Sequence, residues 1–357
     1  VARLEEIGME KVRVAVVGAT GYTGAELLRL LLGHPRALVT RVIGHGKAGQ
    51  AIAQALPSFR GVLDGTIAAF DADDVRAHAD VAFLALPHGA AAEVAKELRA
   101  RGVIVLDLSA DFRLHDRAVH AEWYGEDHAP VLAREAVYGL PELHREALRT
   151  ANLIAVPGCF PTASTLALAP LLRDRLVVRT GLVIDAKTGV SGAGRSPLPN
   201  THFPETSEGI RAYKSAGQHR HTPEIEQELS AIAGEALRVV FTPHLVPMTR
   251  GILATAYAMA VDASVTAARC TEAARALYAD SPVVAVLEPG SHPDTLWVRG
   301  SARAHVAFAR DERTGMIVAQ AAIDNLGKGA SGQAVQCLNV RLGFDEDAGI
   351  RGVATFP

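Results

Sequence analysis

Residues 11–35, "KVRVAVVGATGYTGAELLRLLLGHP", decide the architecture. Val12 to Val17 is a valine-rich run, suited to a parallel strand buried on both faces. Gly18, Gly21 and Gly24 punctuate the turn that follows, and Ala25 to Leu32 continues in strong helix formers. Strand, glycine turn and helix in this order form a spaced variant of a dinucleotide fingerprint. The glycines permit tight turning and let backbone amides approach a pyrophosphate at the helix N-terminus. A bare structural turn is the alternative, and the strand before and helix after favour the cofactor.

The alternation continues outward. "ALVTRVIGH" (37–45), "ADVAFLALPHG" (79–89) and "GVIVLDLSADF" (102–112) read as short apolar strands, with helical "AAAEVAKELRARG" (90–102) between the last two. This predicts a doubly wound parallel sheet of the α/β class, extending to about Val156. Beyond it the character changes. "GLVIDAKTGVSGAG" (181–194), "LRVVFTPHLVP" (237–247), "GILATAYAMAV" (251–261), "VVAVLEPG" (283–290), "TLWVRGSARAHVAFARD" (295–311) and "GMIVAQAAID" (315–324) are strand-like runs. Many are separated by turns, which predicts a second α+β domain with a largely antiparallel sheet. The closing "GKGASGQAVQCLNVRLG" (327–343) reads as a helix packing back on the first domain. The expected division is 1–157 with 330–357 as the dinucleotide-binding domain, and 158–329 as the catalytic and oligomerisation domain.

A chain of 357 residues with 49% hydrophobic and 21% charged residues fits a two-domain soluble protein. A net charge of −3 without basic blocks argues against a nucleic-acid partner. No apolar run is long enough to span a bilayer and no signal peptide is expected; Met9 fits a natural start. Three widely separated cysteines, Cys159, Cys270 and Cys337, match neither a disulfide framework nor a zinc site, so a cytoplasmic location and no metal are expected.

"AVPGCFPTASTLALAPLL" (155–172) places Cys159 between two prolines at the mouth of an apolar helix. Pro161 suits the first turn, and Thr162 or Ser164 offers a local oxygen cap. A cysteine near the positive end of a helix dipole is favoured as thiolate. On this stretch alone a buried structural cysteine is an equal alternative.

Other motifs supply partners. "TGVSGAGRSP" carries Ser191, Gly192, Ala193 and Arg195, small residues suited to close approach of a phosphate or cofactor ring beside a fixed charge. "GQHRHTPEIEQEL" sets His219 and His221 before a helix, where Glu224 and Glu226 are placed to orient an acid/base histidine serving Cys159. His221 is the expected acid/base group and His219 a substrate or phosphate ligand, with His244 in reserve. Arg250 in "TPHLVPMTRG" can hold a carboxylate or phosphate, or be an ordinary surface arginine. After the second strand "GHGKAGQ" lacks the acidic residue that would accept ribose hydroxyls. NADP(H) is therefore expected over NAD(H), with Lys47, His45 or Arg41 nearest to a 2′-phosphate.

Together, "GATGYTGAEL", "LALPHG", "DLSADFRL", "YGLPEL", "PGCFPTAS", "SGAGR", "HRHTPEIEQ", "PHLVPMTRGI" and "NLGKGASGQAVQ" resemble the N-acetyl-gamma-glutamyl-phosphate reductase family of arginine biosynthesis. The motifs run in order over nearly the whole chain. The resemblance implies a Rossmann domain plus a semialdehyde-dehydrogenase-like α+β domain, a homodimer or homotetramer, and Cys159 as nucleophile. It implies NADPH-dependent reduction of an acyl phosphate to a semialdehyde through a cysteine thioester. It places Gly18, Thr20, Gly21, Tyr22, Thr23, Gly24, Pro87, Ser191, Gly192, Ala193 and Asn325 at the cofactor, whereas Lys47 is offered by the residues after the second strand and not by the resemblance. Ser109, Arg113, Arg195 and Arg250 fall at the substrate. A reductase acting on aspartyl phosphate or a carrier-bound aminoadipyl phosphate is the nearest alternative.

Overall fold

The computed structural model of the protein describes residues 11–125 and 129–355; Met9 lies outside them, as does the side chain of His45. The first sheet contains β1 (Val12–Val17), β2 (Ala37–Ile43), β3 (Val81–Leu84), β4 (Ile104–Asp107), β5 (Val137–Tyr138) and β6 (Leu153–Ala155). All its pairings are parallel, in the order β2-β1-β3-β4-β6-β5. The longer helices are α1 (Tyr22–Leu32), α2 (Ala72–His78), α3 (Ala91–Ala100), α4 (Arg117–Tyr124) and α5 (Pro141–Leu148). Val14 and Val16 of β1 pack with Leu27, Leu28 and Leu31 of α1 on one side of the sheet. Ala15 and Val17 pack on the other side with Val75 of α2 and Ala95 and Leu98 of α3. Both faces are covered, which is why β1 reads as continuous valine and alanine rather than as an alternation.

Beyond β6 the chain enters α6 (Cys159–Arg173), then α7 (Thr222–Ala233), α8 (Ala267–Leu277) and finally α9 (Gly332–Leu342). The second sheet comprises β7 (Leu182–Thr188), β8 (Arg211–Ala212), β9 (Val239–Leu245), β10 (Ile252–Met259), β11 (Val284–Val286), β12 (Ala304–Asp311) and β13 (Met316–Ile323). It is seven-stranded, ordered β11-β12-β13-β10-β7-β9-β8. The β7–β9 and β11–β12 pairs are parallel and the rest antiparallel, so the sheet is mixed. Ile184, Phe241, Ile252 and Ala254 on one face bury against Leu166, Leu168 and Leu171 of α6 and Ile225 and Leu229 of α7. Each such leucine gains about 2 kcal/mol on leaving water. Helix α6 is buried all round, hence its lack of a polar stripe.

The run expected as one strand over 295–311 divides. Thr295–Trp297 forms a single 3₁₀ turn and only Ala304–Asp311 joins the sheet. The Asp294 carboxylate caps that turn by accepting the Leu296 amide. Helix α9 follows a π turn over Gly327–Ser331, and its Val335, Cys337 and Leu338 belong to the first domain's core. Among the described residues no helix is long and apolar enough to cross a membrane.

Candidate active site

At the end of β1 the chain turns through Gly18 with φ +83°, where a Cβ would strike the Ala85 carbonyl at 2.2 Å. A Cβ on Gly24 would lie 2.4 Å from the Gly18 carbonyl, so both glycines are demanded by packing. Gly21 is different. It is the N-cap of α1, supplies no side-chain cap, and a Cβ there would find nothing nearer than 3.7 Å. A side chain there would meet only this ordinary contact, beside the first-turn amides of α1, which have no acceptor four residues back within the helix. The sheet order reverses between β1 and β3, which makes the ends of these two strands the crevice where a dinucleotide fits. Exposed Pro87 follows β3 there. Its loop is pinned by Asp111, which accepts the Gly89 and Ala92 amides and lies 2.5 Å from His88 Nδ1.

The second glycine-rich loop folds against this turn. Val190–Ala193 is a 3₁₀ turn, and Asn325 Nδ2 donates to Ser191 Oγ at 2.9 Å. Asn325 Oδ1 in turn accepts the Gly251 amide. Arg195 Nη1 donates to the Thr20 carbonyl at 2.8 Å, which sets Arg195 on the cofactor side of the crevice. Between them opens a cleft of about 890 Å³ lined by Tyr22, Ser191, Arg195, Met248, Arg250 and Leu326. Lys47 is exposed in the 3₁₀ turn His45–Lys47 that follows β2. Arg41 is not available: Asp74 clasps it through two hydrogen bonds of 2.7 and 3.0 Å.

Cys159 opens α6, capped by Gly158. The expected oxygen cap is absent, because Thr162 Oγ1 donates back to the Gly158 carbonyl. That leaves the Phe160 amide and the amide of Cys159 itself for the sulfur. Burial nevertheless pushes the thiol up to about 11, against the pull of Arg113 and these amides. Desolvation thus works against the thiolate that the helix start favours.

A Cβ on Gly158 would fall 2.6 Å from His221 Nε2 and 3.0 Å from Arg113 Nη1, so both groups crowd the cysteine's turn. His221 is the N-cap of α7. Its amide donates to His219 Nδ1 at 3.1 Å, which puts the proton of His219 on Nε2. The two rings are 4.9 Å apart, and both meet Phe160 edge-on. Burial, with Lys214 and Arg220 nearby, brings His219 down to about 4. Burial, with His219 and Arg113, takes His221 well below its ordinary value. Both are neutral at pH 7. Among the described residues no third ligand-type group joins them as a metal cluster.

Glu224 and Glu226 do not orient these histidines. Glu224 Oε1 accepts the Gly158 amide and the Tyr138 hydroxyl, both at 2.8 Å, while Oε2 lies 3.5 Å from Arg113. Glu226 turns to Arg238 and the Val239 amide. Glu224 thus braces the cysteine's turn, a part no spacing in the sequence revealed. Burial raises its carboxyl despite Arg113 and the Gly158 amide. Buried Arg113 spends Nε on the Val156 carbonyl and Nη2 on the Leu108 carbonyl. Ser109 Oγ donates to Asp107 at 2.7 Å and accepts the Asp111 amide, so it knits its own turn. His244 points to the opposite face of the second sheet, 3.2 Å from Asp185. It is not beside the thiol. Arg250 does hold carboxylates, but those of Glu26 and Asp324, which leaves its expected substrate contact without support.

The semialdehyde dehydrogenase NAD binding domain family matches residues 13–151, and the semialdehyde dehydrogenase dimerisation domain family matches 159–325. An N-acetyl-gamma-glutamyl-phosphate reductase from Pelobacter propionicus is 48% identical over 96% of this chain and 99% of its own. The enzyme of that name from Synechocystis is 45% identical over 98% of this chain and all of its own. Among solved structures, aspartate semialdehyde dehydrogenase II from Vibrio cholerae superposes with a TM-score of 0.72 at 19% identity, covering 94% of this chain and 99% of that one.

Proposed function

The chain belongs to the N-acetyl-gamma-glutamyl-phosphate reductase family, and from that premise we propose how its residues reduce an acyl phosphate. The protein is an oxidoreductase of arginine biosynthesis with a nicotinamide-binding domain. The observation that carries the catalytic reading is His221 Nε2 facing the turn of Cys159 beside Arg113.

With a resting thiol and a neutral imidazole, proton transfer from Cys159 Sγ to His221 Nε2 accompanies attack on the acyl carbon rather than preceding it. The sulfur–carbon bond forms, the carbon–oxygen bond to phosphate breaks, and inorganic phosphate departs past His219 with the proton that His221 took from the thiol. The Phe160 and Cys159 amides hold the oxyanion. When bound, the nicotinamide cofactor supplies a hydride to the thioester carbonyl. The tetrahedral alkoxide left on Cys159, its oxygen held by the amides, then collapses to the semialdehyde as the carbon–sulfur bond breaks, and the sulfur regains a proton from solvent through His221.

Residues 18–24, Pro87, residues 191–193 and Asn325 fit the dinucleotide: an N-cap glycine, first-turn helix amides and a crevice at the strand reversal. NADP(H) is the preferred form on this reading, supported by exposed Lys47 and the lack of an acid after β2. The face of the second sheet opposite its helices, with exposed Val240 and Met259, is read as the interface of a homodimer or homotetramer. A cytoplasmic site of action accords with free, unpaired Cys159, Cys270 and Cys337.

The test runs the reaction backwards with N-acetylglutamate semialdehyde, phosphate and NADP⁺, following absorbance in the NADPH band. Turnover that disappears in Cys159→Ala with NADPH binding intact supports the reading. An active Cys159→Ala overturns it.

A further inference from the structure

A cluster outside the thiol site, with buried Glu26 and Asp324 on either side of a partly exposed Arg250, joins the cofactor helix to the catalytic segment. Arg250 Nη2 and Nη1 donate to Glu26 of α1 at 2.8 and 3.2 Å. On its other side, Arg250 Nε and Nη2 donate to Asp324 at 2.8 and 2.9 Å. Glu26 is also held by Arg29, so two guanidiniums balance two carboxylates. Asp324, fully buried, accepts the amides of Gly300, Leu326 and Gly327, and its carbonyl accepts the Gly329 amide. Gly329 presses on the nucleophile: a Cβ there would lie 2.8 Å from Cys159 Cβ. A continuous set of contacts therefore runs from the dinucleotide helix through Glu26, Arg250 and Asp324 to the residue packed on Cys159.

We propose that Arg250 is a positioning residue that fixes the distance between the cofactor turn and Cys159. Hydride transfer demands that donor and acceptor atoms come within about 3.5 Å, and an error of about 1 Å can cost a hundredfold in rate. The turn over residues 18–24 anchors one reactant and Cys159 the other, so a strut between these anchors sets that separation. Its geometry suits the task. A guanidinium clasped bidentately on both sides resists tilting, which a lysine ammonium cannot do. Two lighter ties flank it, Ser331 Oγ on the Thr23 carbonyl and Arg195 on the Thr20 carbonyl, so its loss relaxes the separation without opening the fold. The inference rests on the assignment of Cys159 and the glycine turn made above.

The experiment compares native enzyme with Arg250→Lys and Glu26→Gln, the latter preserving shape while removing one charge. Phosphate released per site from N-acetylglutamyl phosphate without cofactor reports acylation alone. Protection of Cys159 from iodoacetamide by saturating NADP⁺ reports how closely the cofactor covers the sulfur. Single turnovers with NADPH deuterated at nicotinamide C4 report hydride transfer. In both variants the phosphate burst and unprotected alkylation rate should match native enzyme. Protection by NADP⁺ should weaken, and hydride transfer should slow by about tenfold or more with a larger isotope effect on turnover. Unchanged protection and hydride rate in both variants overturns the proposal, as does an equal fall in burst and hydride rate. A native enzyme that gives no phosphate burst would instead overturn the underlying assignment of Cys159.

Discussion

His221 and Gly158 face one another so closely that the glycine has no room for a side chain: a Cβ would meet Nε2 at 2.6 Å and Cε1 at 2.8 Å. The base and the backbone of the nucleophile's turn are therefore in register only while position 158 is bare. Gly158→Ala should displace the imidazole and lower kcat/KM by at least about tenfold. NADPH affinity, measured by fluorescence titration, should stay unchanged. Loss of both together would place the fault in the fold rather than in the register.

Alkylation separates a resting thiol from a resting thiolate. With Cys159 raised to about 11 by burial, the iodoacetamide rate of free enzyme should climb with pH throughout the range from 7 to 10. A plateau below pH 8 would show a preformed thiolate. Cys270 and Cys337, both buried, should react more slowly at every pH.

The glycines of the first turn should divide by role. Gly18→Ala forces a Cβ into the Ala85 carbonyl at positive φ and should cost on the order of 2–4 kcal/mol in urea unfolding. Gly21→Ser puts a good N-cap residue where space exists, so the melting temperature should hold or rise. Its NADPH dissociation constant should nevertheless increase by about tenfold or more, because the added atoms occupy the approach to the pyrophosphate. A Gly21→Ser enzyme with native NADPH affinity would remove the turn from the cofactor site.

Acid stability carries a definite sign. His219 stands at about 4 in the folded protein and near 6.5 unfolded, so between these pH values the unfolded chain binds the extra proton. Stability from this residue is complete above about pH 6.5 and declines on acidification, by on the order of 2–3 kcal/mol at pH 4. His34, His221 and His305, also depressed by burial, act in the same direction. Urea unfolding at pH 7, 5.5 and 4.5 should show the decline, and His219→Asn should flatten it. An unaltered slope in that variant would mean its imidazole is solvated.

Local chemistry was legible in the sequence where neighbours along the chain determine it. The strand–glycine–helix order of residues 12–32 predicts β1, its turn and α1, and Pro157, Gly158 and Pro161 mark the helix start at Cys159. Partner choice across the fold was not legible. Arg250 meets Glu26 from 224 residues away, and Arg41 meets Asp74 from 33, so both looked free for a ligand. Glu224 stands three positions past His221, which suggested a link between them; the helix instead aims its carboxylate at Gly158. The thiol shows the same limit in energetic form. Its place at a helix start is a local property, whereas the burial that opposes the dipole belongs to the assembled site.

The chain passes between its two sheets at two places, from β6 into α6 and from β13 into α9, and at the thiol the two crossings touch through Cys159 and Gly329. A door moves least at its hinge. Any swing of one sheet against the other about these crossings leaves the sulfur near the axis and is opposed off the axis by Arg195 on the Thr20 carbonyl and by Arg250 between Glu26 and Asp324. The thiol therefore keeps its bearings on both sheets at once, as the pin of a hinge does whichever leaf is held.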